Sequence, residues 1–309
     1  MSNRRNSKNT KKIIEIIIGI LFIILAIINW NEYSKEDVLA NGKLNTITAE
    51  ETENIELTRE NQIQIHFFDV GQADSILLIS NNETMLIDAG TNDAGMTVVQ
   101  NIKNLGIEKI DYLVGTHPHE DHIGGLDDVI NNFEIGTIYM PKIQTNTKTF
   151  EDVLDAASNK NLKITSPQVG NKFNVGNVEC EIMLCDVEVA KKEDNLNLSS
   201  IVIRVVFKEQ SYLFMGDAET ENEQSRTWPQ TNVLKVGHHG SNTSSSQNFL
   251  NQVLPQMAII QVGKDNSYGH PKQTTLNKLS KLGTLVYRTD EKKNILIESD
   301  GINNKVSFY

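Results

Sequence analysis

The apolar positions fall into one continuous run followed by many short ones. Ile13 to Trp30 is almost wholly apolar, IIEIIIGILFIILAIINW, and a basic tail with Arg4, Arg5, Lys8, Lys11 and Lys12 precedes it. As a helix that run reaches about 27 Å, close to the thickness of a bilayer core. The basic flank predicts an N-terminus in the cytoplasm and the remainder of the chain outside. A cleaved signal peptide is the alternative, but no small-x-small site closes the run, which favours an uncleaved anchor. The domains read from the sequence are a cytoplasmic tail over 1–12, a transmembrane anchor over 13–30, a polar linker over 31–60 and a folded domain over 61–309.

Beyond residue 60 the pattern alternates between strand and helix periods. Ile63 to Asp69 alternates with period two, and 74–80 and 84–87 read as the next strands, joined by a turn at Asn81-Asn82. Met96 to Leu105 reads as a helix stopped by Gly106, 110–114 as a buried strand, and 122–132 as a helix. Further strand and helix signals lie at 137–140 and 150–157. Strand signals follow at 178–184, 200–207, 211–215, 233–236, 257–261 and 295–298, with helices near 247–253 and 274–282. Two mixed sheets packed face to face, with helices outside, bury such a pattern.

Composition narrows the partners. The 309 residues carry a net charge of -11, which argues against a broad nucleic-acid platform. It leaves room for a short positive strip or for metal ions that attract phosphate locally. Cys180 and Cys185 lie in one apparent strand, about 16 Å apart if extended, and read as small apolar residues.

The chemistry concentrates in Thr116-His117-Pro118-His119-Glu120-Asp121-His122. Three of the seven histidines fall in this stretch, directly after a predicted strand. Imidazole nitrogens and carboxylate oxygens are the donors a catalytic zinc-type ion takes, and spacing alone does not name the ion. Asp88, Asp217 and the pair His238-His239 also follow predicted strands, so they can converge on one sheet edge. In this reading His117 and His119 hold one ion. Asp121, His122 and one of His238 or His239 hold a second, and Asp217 bridges the two. The metal set is His117, His119, Asp121, His122, Asp217 and His238, with His239 the alternative to its neighbour. Such ions acidify a shared water and stabilise an anionic transition state. No histidine lies between His122 and His238. The first ion therefore lacks a third imidazole, Asp217 with solvent or the amide of Asn197 being the remaining donors, and the number of ions stays open at one or two.

The stretch from Thr116 to His122 resembles the HxHxDH signature of the metallo-β-lactamase superfamily. A closer resemblance, to the soluble hydrolase domain of ComEC-type DNA-uptake proteins, rests on several motifs. They are Phe68-Asp69-Val70-Gly71-Gln72-Ala73-Asp74-Ser75, Gly216-Asp217-Ala218-Glu219, Leu234 to Ser241 with Thr243-Ser244-Ser245, and Asn266-Ser267-Tyr268-Gly269-His270-Pro271. Ala73 and Gly237 depart from the commoner glycine and proline of that group. The resemblance implies a four-layer αββα sandwich, preceded here by the transmembrane helix, and metal-dependent hydrolysis of phosphodiesters with zinc or manganese. Asp121, Asp217 and His270 are its catalytic candidates, His270 as a phosphate contact or proton donor. Ser241, Asn242, Thr243 and Ser244 are candidate phosphate contacts or helix caps.

The leading expectation is a single-pass membrane protein with an extracellular catalytic domain acting on a phosphodiester. Nucleic acid is the first substrate class and choline phosphoester on wall polymer the second. A carboxylic ester or lactam hydrolase and a non-catalytic scaffold of the same fold are the other classes. The sequence suggests no protein partner.

Overall fold

The computed structural model describes residues 61–309. The tail, anchor and linker read over 1–60 lie outside the described residues. Among the described residues, no helix is long and apolar enough to cross a membrane.

Two sheets make the body. The first runs β15 (Asn304–Phe308), β14 (Ile295–Ser299), β1 (Ile63–Phe67), β2 (Ser75–Ser80), β3 (Glu83–Ala89), β4 (Lys109–Val114), β5 (Glu134–Tyr139), β6 (Ile164–Thr165). The second runs β13 (Leu285–Arg288), β12 (Met257–Ile260), β11 (Val233–Lys235), β10 (Gln210–Phe214), β9 (Val202–Phe207), β8 (Val178–Leu184), β7 (Lys172–Val175).

Period-two geometry explains the layering. Ile76, Leu78, Met85 and Ile87 face Cys180, Ile203, Tyr212, Phe214 and Ile259 between the sheets. Their neighbours Leu77 and Leu86 face outward, against α1 (Gly95–Asn104), α3 (Leu126–Asn132) and α4 (Lys148–Asn159), through Val98, Val129 and Val153. On the far side Leu213, Leu234 and Ala258 pack with Phe249 and Leu250 of α7 (Gln247–Val253) and Leu279 of α8 (Gln273–Lys281). Successive residues of a strand point to opposite faces, so a strand covered on both sides must be apolar at nearly every position. That is why the central strands read as short continuous runs. The layers are α, β, β, α.

The helix read over 122–132 is two elements. A single turn, α2 (Glu120–Ile123), ends before α3 begins, and Gly124 and Gly125 lie at the break. A Cβ on Gly124 would meet the Asn92 amide nitrogen at 2.3 Å, and one on Gly125 would meet the Ala89 carbonyl at 2.4 Å. The glycines let this corner press onto the loop after β3, and the helix breaks there as a result. The sequence pattern does not reveal β6, β7, β13 and β15, nor α5 (Val187–Glu193), α6 (Thr220–Gln224) and α9 (Thr289–Lys292). Each is short, and each is stabilised by neighbours rather than by its own periodicity. Both cysteines are free thiols.

Candidate metal centre

Strand direction gathers the chemistry at one edge. β3 and β4 run parallel, as do β10 and β11. Their carboxyl ends deliver Asp88, the Thr116–His122 stretch, Asp217 and the His238-His239 pair. Loops beyond the carboxyl ends of parallel strands are the usual ligand position in such sheets. The Ile201 amide donates to the Thr116 carbonyl at 2.9 Å and the His238 amide to the Gly216 carbonyl at 3.1 Å, tying these loops together.

Local backbone sets the direction of each donor. His119 is extended and caps α2, so His117 and His119 project from an extended segment, while Asp121 and His122 project from the first helical turn. His117 Nε2 and His119 Nδ1 are 3.0 Å apart. On the other side, ligand atoms of Asp121, His122, Asp217 and His239 all lie within 4.8 Å of one another. His122 Nε2 is 3.3 Å from Asp217 Oδ1 and 3.8 Å from Asp121 Oδ2, and His239 Nε2 is 3.2 Å from Asp121 Oδ2.

The structure thus puts His239 beside Asp121 and His122, where the sequence set carried His238. Both histidines have positive φ, 48° and 49°, in the turn Gly237–Gly240, and their rings diverge. His238 turns instead toward Glu219, with Nδ1 3.0 Å from Oε1, and its Nε2 stands 3.7 Å from Asp217 Oδ2.

An outer layer orients the imidazoles. Asp88 accepts from the Thr116 amide at 2.8 Å and from its hydroxyl at 2.7 Å, and its Oδ2 faces His122 Nδ1 at 2.8 Å. His239 Nδ1 lies 3.0 Å from the Gln261 carbonyl and 3.3 Å from Asp74. Asp74 is fully buried with Lys235, their charges 2.5 Å apart. The sequence reading singles out neither Asp74 nor Lys235 as a site residue. A signal exists for the lysine, a charged residue inside the apolar strand Val233-Leu234-Lys235-Val236.

Electrostatics follow from this packing. Burial opposes protonation of His122, but Asp217, Asp88 and Asp121 outweigh it and hold its pKa well above the usual imidazole range. Burial likewise opposes the charge on Asp217, yet His122 and His239 keep it well below the usual carboxylate range. His239 is pushed up to about 10, burial being overcome by Asp217 and Asp74. His117, buried and beside His122, is held well below its ordinary value.

A cation suits what remains. His122 Nε2 and Asp217 Oδ1 are both buried and have no hydrogen-bond partner. Buried polar atoms left unpaired are costly. Imidazole nitrogens with carboxylate oxygens, their outer atoms already fixed, form a donor set for a divalent transition metal.

His270 sits at the rim. Its ring is 5.6 Å from that of His238 and stacks on Tyr268 at 5.7 Å. Burial, then the neighbouring His238 and His239, push its pKa down to about 4, so it is neutral at physiological pH. Thr243 and Ser244 turn inward. Thr243 donates to Glu219 at 2.8 Å and Ser244 to the Gly237 carbonyl at 2.7 Å, so both hydroxyls brace the histidine turn.

Comparison with known proteins agrees with this geometry. The sequence profile of the metallo-β-lactamase superfamily matches residues 68–263. ComE operon protein 3 of Bacillus subtilis (strain 168) is 32% identical over 190 residues, 60% of this chain and 24% of that protein. Competence protein ComA of Neisseria gonorrhoeae is 30% identical over 241 residues, 76% of this chain and 32% of that one. The chain therefore spans about a quarter to a third of the curated relatives it matches. Among solved structures, the metallo-beta-lactamase fold protein YhfI of Bacillus subtilis superposes with a TM-score of 0.50 at 11% identity, covering 77% of this chain and 99% of that one. The chain belongs to the metallo-β-lactamase superfamily, a metal-binding hydrolase fold, and its curated homologues there are the ComEC-type competence proteins.

Proposed function

We propose that the chain is a metal-dependent phosphodiesterase that cleaves nucleic-acid strands, held at the outer face of the cell membrane by the apolar segment 13–30. The convergence of Asp121, His122, Asp217 and His239 within 4.8 Å carries the hydrolytic part of this reading. A divalent ion bound there, zinc or manganese, acidifies a water and neutralises charge developing on phosphate. The residues do the rest. Asp217 and Asp121 stay ionised and fix the cation side of the site, and Asp88, Asp74 and Glu219 hold the imidazoles in one orientation. His270, neutral and at the rim, donates an N–H hydrogen bond to a phosphate oxygen of the substrate.

Support for a nucleic acid comes from the ComEC-type motifs and from the relatives' names, which include "Competence protein ComA" and "Recombination protein 2". With a net charge of -11, the reading assigns attraction of the substrate to the cations rather than to a broad basic platform. The test offers the full chain, loaded with manganese or zinc, bis(p-nitrophenyl) phosphate and a chromogenic β-lactam in parallel. Turnover of the phosphodiester alone is expected. Turnover of the lactam alone would replace the reading with an acyl hydrolase.

A further inference from the structure

Tyr268 is the most exposed large hydrophobic side chain among the described residues, at 64%, and it stands at the rim of the metal centre. We propose that Tyr268, stacked on His270, is a platform for one unpaired nucleobase of the substrate, so that the centre takes single strands in preference to duplexes. This rests on the nucleic-acid reading above and names the form of strand the site accepts.

A row of rings leads from the centre to solvent. His238 Nε2 is 3.7 Å from Asp217 Oδ2. The His238 ring meets His270 edge-on, with centroids 5.6 Å apart and planes at 78°. His270 in turn lies nearly parallel to Tyr268, at 5.7 Å and 24°. One face of the phenol is thus covered by the imidazole, and its high exposure leaves the other face open. A strand whose phosphate reaches the centre and His270 carries the base of a flanking nucleotide past that open face.

The segment that presents Tyr268 is fixed at both ends. The Gly263 amide donates to Gln72 Oε1 at 3.1 Å, and a Cβ on Gly263 would meet the Gln72 amide nitrogen at 2.6 Å. At the other end the Lys272 amide donates to the Gly240 carbonyl at 2.9 Å, directly after the histidine pair. Between them Asn266 closes the turn. Its side chain accepts from the His270 amide at 3.0 Å and donates to the carbonyls of Gly263 at 2.9 Å and His270 at 2.7 Å. Lys272 Nζ donates to the Tyr268 carbonyl at 2.6 Å. None of these bonds uses the phenol, so the backbone is held while the ring is left to a ligand. A contact surface already held in place loses little freedom on binding.

The chemistry of a base fits this ring. Every nucleobase has a π-face and stacks on an aromatic side chain whatever its identity. In a duplex those faces are covered by neighbouring base pairs, so a base must leave the stack to reach Tyr268. The net charge of -11 argues against a broad cationic surface that would hold a duplex by its backbone. Stacking supplies affinity that does not depend on such a surface. The other exposed aromatic side chains are engaged away from the histidine turn. Phe308 packs against Tyr287 at 5.7 Å, and the Tyr309 hydroxyl lies 2.8 Å from His66 Nδ1.

The experiment measures, by fluorescence anisotropy, binding of a fluorescein-labelled phosphorothioate single-stranded DNA oligonucleotide to the manganese-loaded full chain. Tyr268→Ala is expected to weaken binding about 5- to 100-fold, whereas Tyr268→Phe, which keeps the ring, is expected to stay within about twofold of wild type. The same sequence as a duplex is expected to bind the wild-type chain more weakly and to respond little to Tyr268→Ala. A scan with one abasic sugar at each position is expected to find a position where the missing base weakens binding to wild type but not further to Tyr268→Ala. Elemental analysis is expected to find equal manganese in all three chains. Wild-type affinity of Tyr268→Ala for the single strand overturns the proposal. So does Tyr268→Phe binding as weakly as Tyr268→Ala, an equal loss on the duplex, or loss of manganese along with the strand. Cleavage of the natural strand judges the parent reading separately. Tyr268-dependent binding without cleavage keeps the stacking and removes the nuclease reading, and cleavage with the same KM in wild type and Tyr268→Ala removes the stacking alone. Failure of every strand to bind removes both.

Discussion

His122 Nδ1 lies 2.8 Å from Asp88 Oδ2, and its other nitrogen, buried and without a hydrogen bond, lies 3.3 Å from Asp217 Oδ1. One imidazole thus links an outer carboxylate to an inner one. Asp88 can play this part because it sits at φ 59° at the end of β3, where its oxygens receive the Thr116 amide and hydroxyl as well. Asp88→Asn must place an NH2 group against one of those donors or against His122. The expected result is a loss of metal affinity of about 10- to 100-fold, measured by titration against a chelating indicator. Turnover should recover in part at saturating metal.

Removing an inner carboxylate has a different effect. Asp121→Ala and Asp217→Ala each delete a donor of the four-residue cluster, and Asp217 also faces His117 and His238. Turnover of a phosphodiester is expected to vanish in both, without recovery at high metal. Turnover at the wild-type level in either variant would count against the cluster as the reacting centre.

The Asp74–Lys235 pair makes a stability prediction. Both groups are buried, and Asp74 touches His239 as well. Lys235→Met leaves a carboxylate buried opposite a thioether. Breaking a buried pair from one side costs about 3–5 kcal/mol. Denaturant unfolding should show a loss of that size, and the double variant Asp74→Asn with Lys235→Met should regain part of it. A loss below about 1 kcal/mol in the single variant would mean that water reaches Asp74.

His66 predicts an acid-sensitive window away from the metal centre. It is buried in β1 with Nδ1 2.8 Å from the Tyr309 hydroxyl. Burial pushes its pKa down to about 4 from 6.5, against the opposing pull of Glu298. The folded state holds the neutral ring, so between these values the unfolded chain binds more protons. This contribution is present above pH 6.5 and is lost as pH falls toward 4, roughly 3 kcal/mol in all. His66→Phe removes the titrating group and should flatten the pH dependence of Tm across that window. An unchanged slope would assign the acid sensitivity to other groups.

Much of the fold is legible in the residues because both sheets are covered on both faces. An apolar run such as Ile76-Leu77-Leu78-Ile79 in β2 does not suit a solvated loop, and the signals of β3, β4, β10 and β12 are of the same kind. The short edge strands are not legible. β6 and β7 have neighbours on the sheet to define them and little pattern of their own. In the site, the Thr116–His122 cluster and Asp217 stand out because scarce donor types recur after strands. The choice between His238 and His239 does not, since it depends on two left-handed residues in one turn, which no periodicity encodes. Asp74 and Glu219 are hidden for another reason. Their roles come from partners far along the chain, His239 for the first and His238 and Asn195 for the second.

Cleavage of a nucleic-acid strand by a divalent metal held at this centre can be tested in one assay. The full chain is incubated with end-labelled DNA and manganese or zinc, with and without chelator. Cleavage should stop on chelation and return when the metal is restored. Cleavage that persists in chelator, or a metal-loaded chain that leaves every strand intact, would refute the nuclease reading.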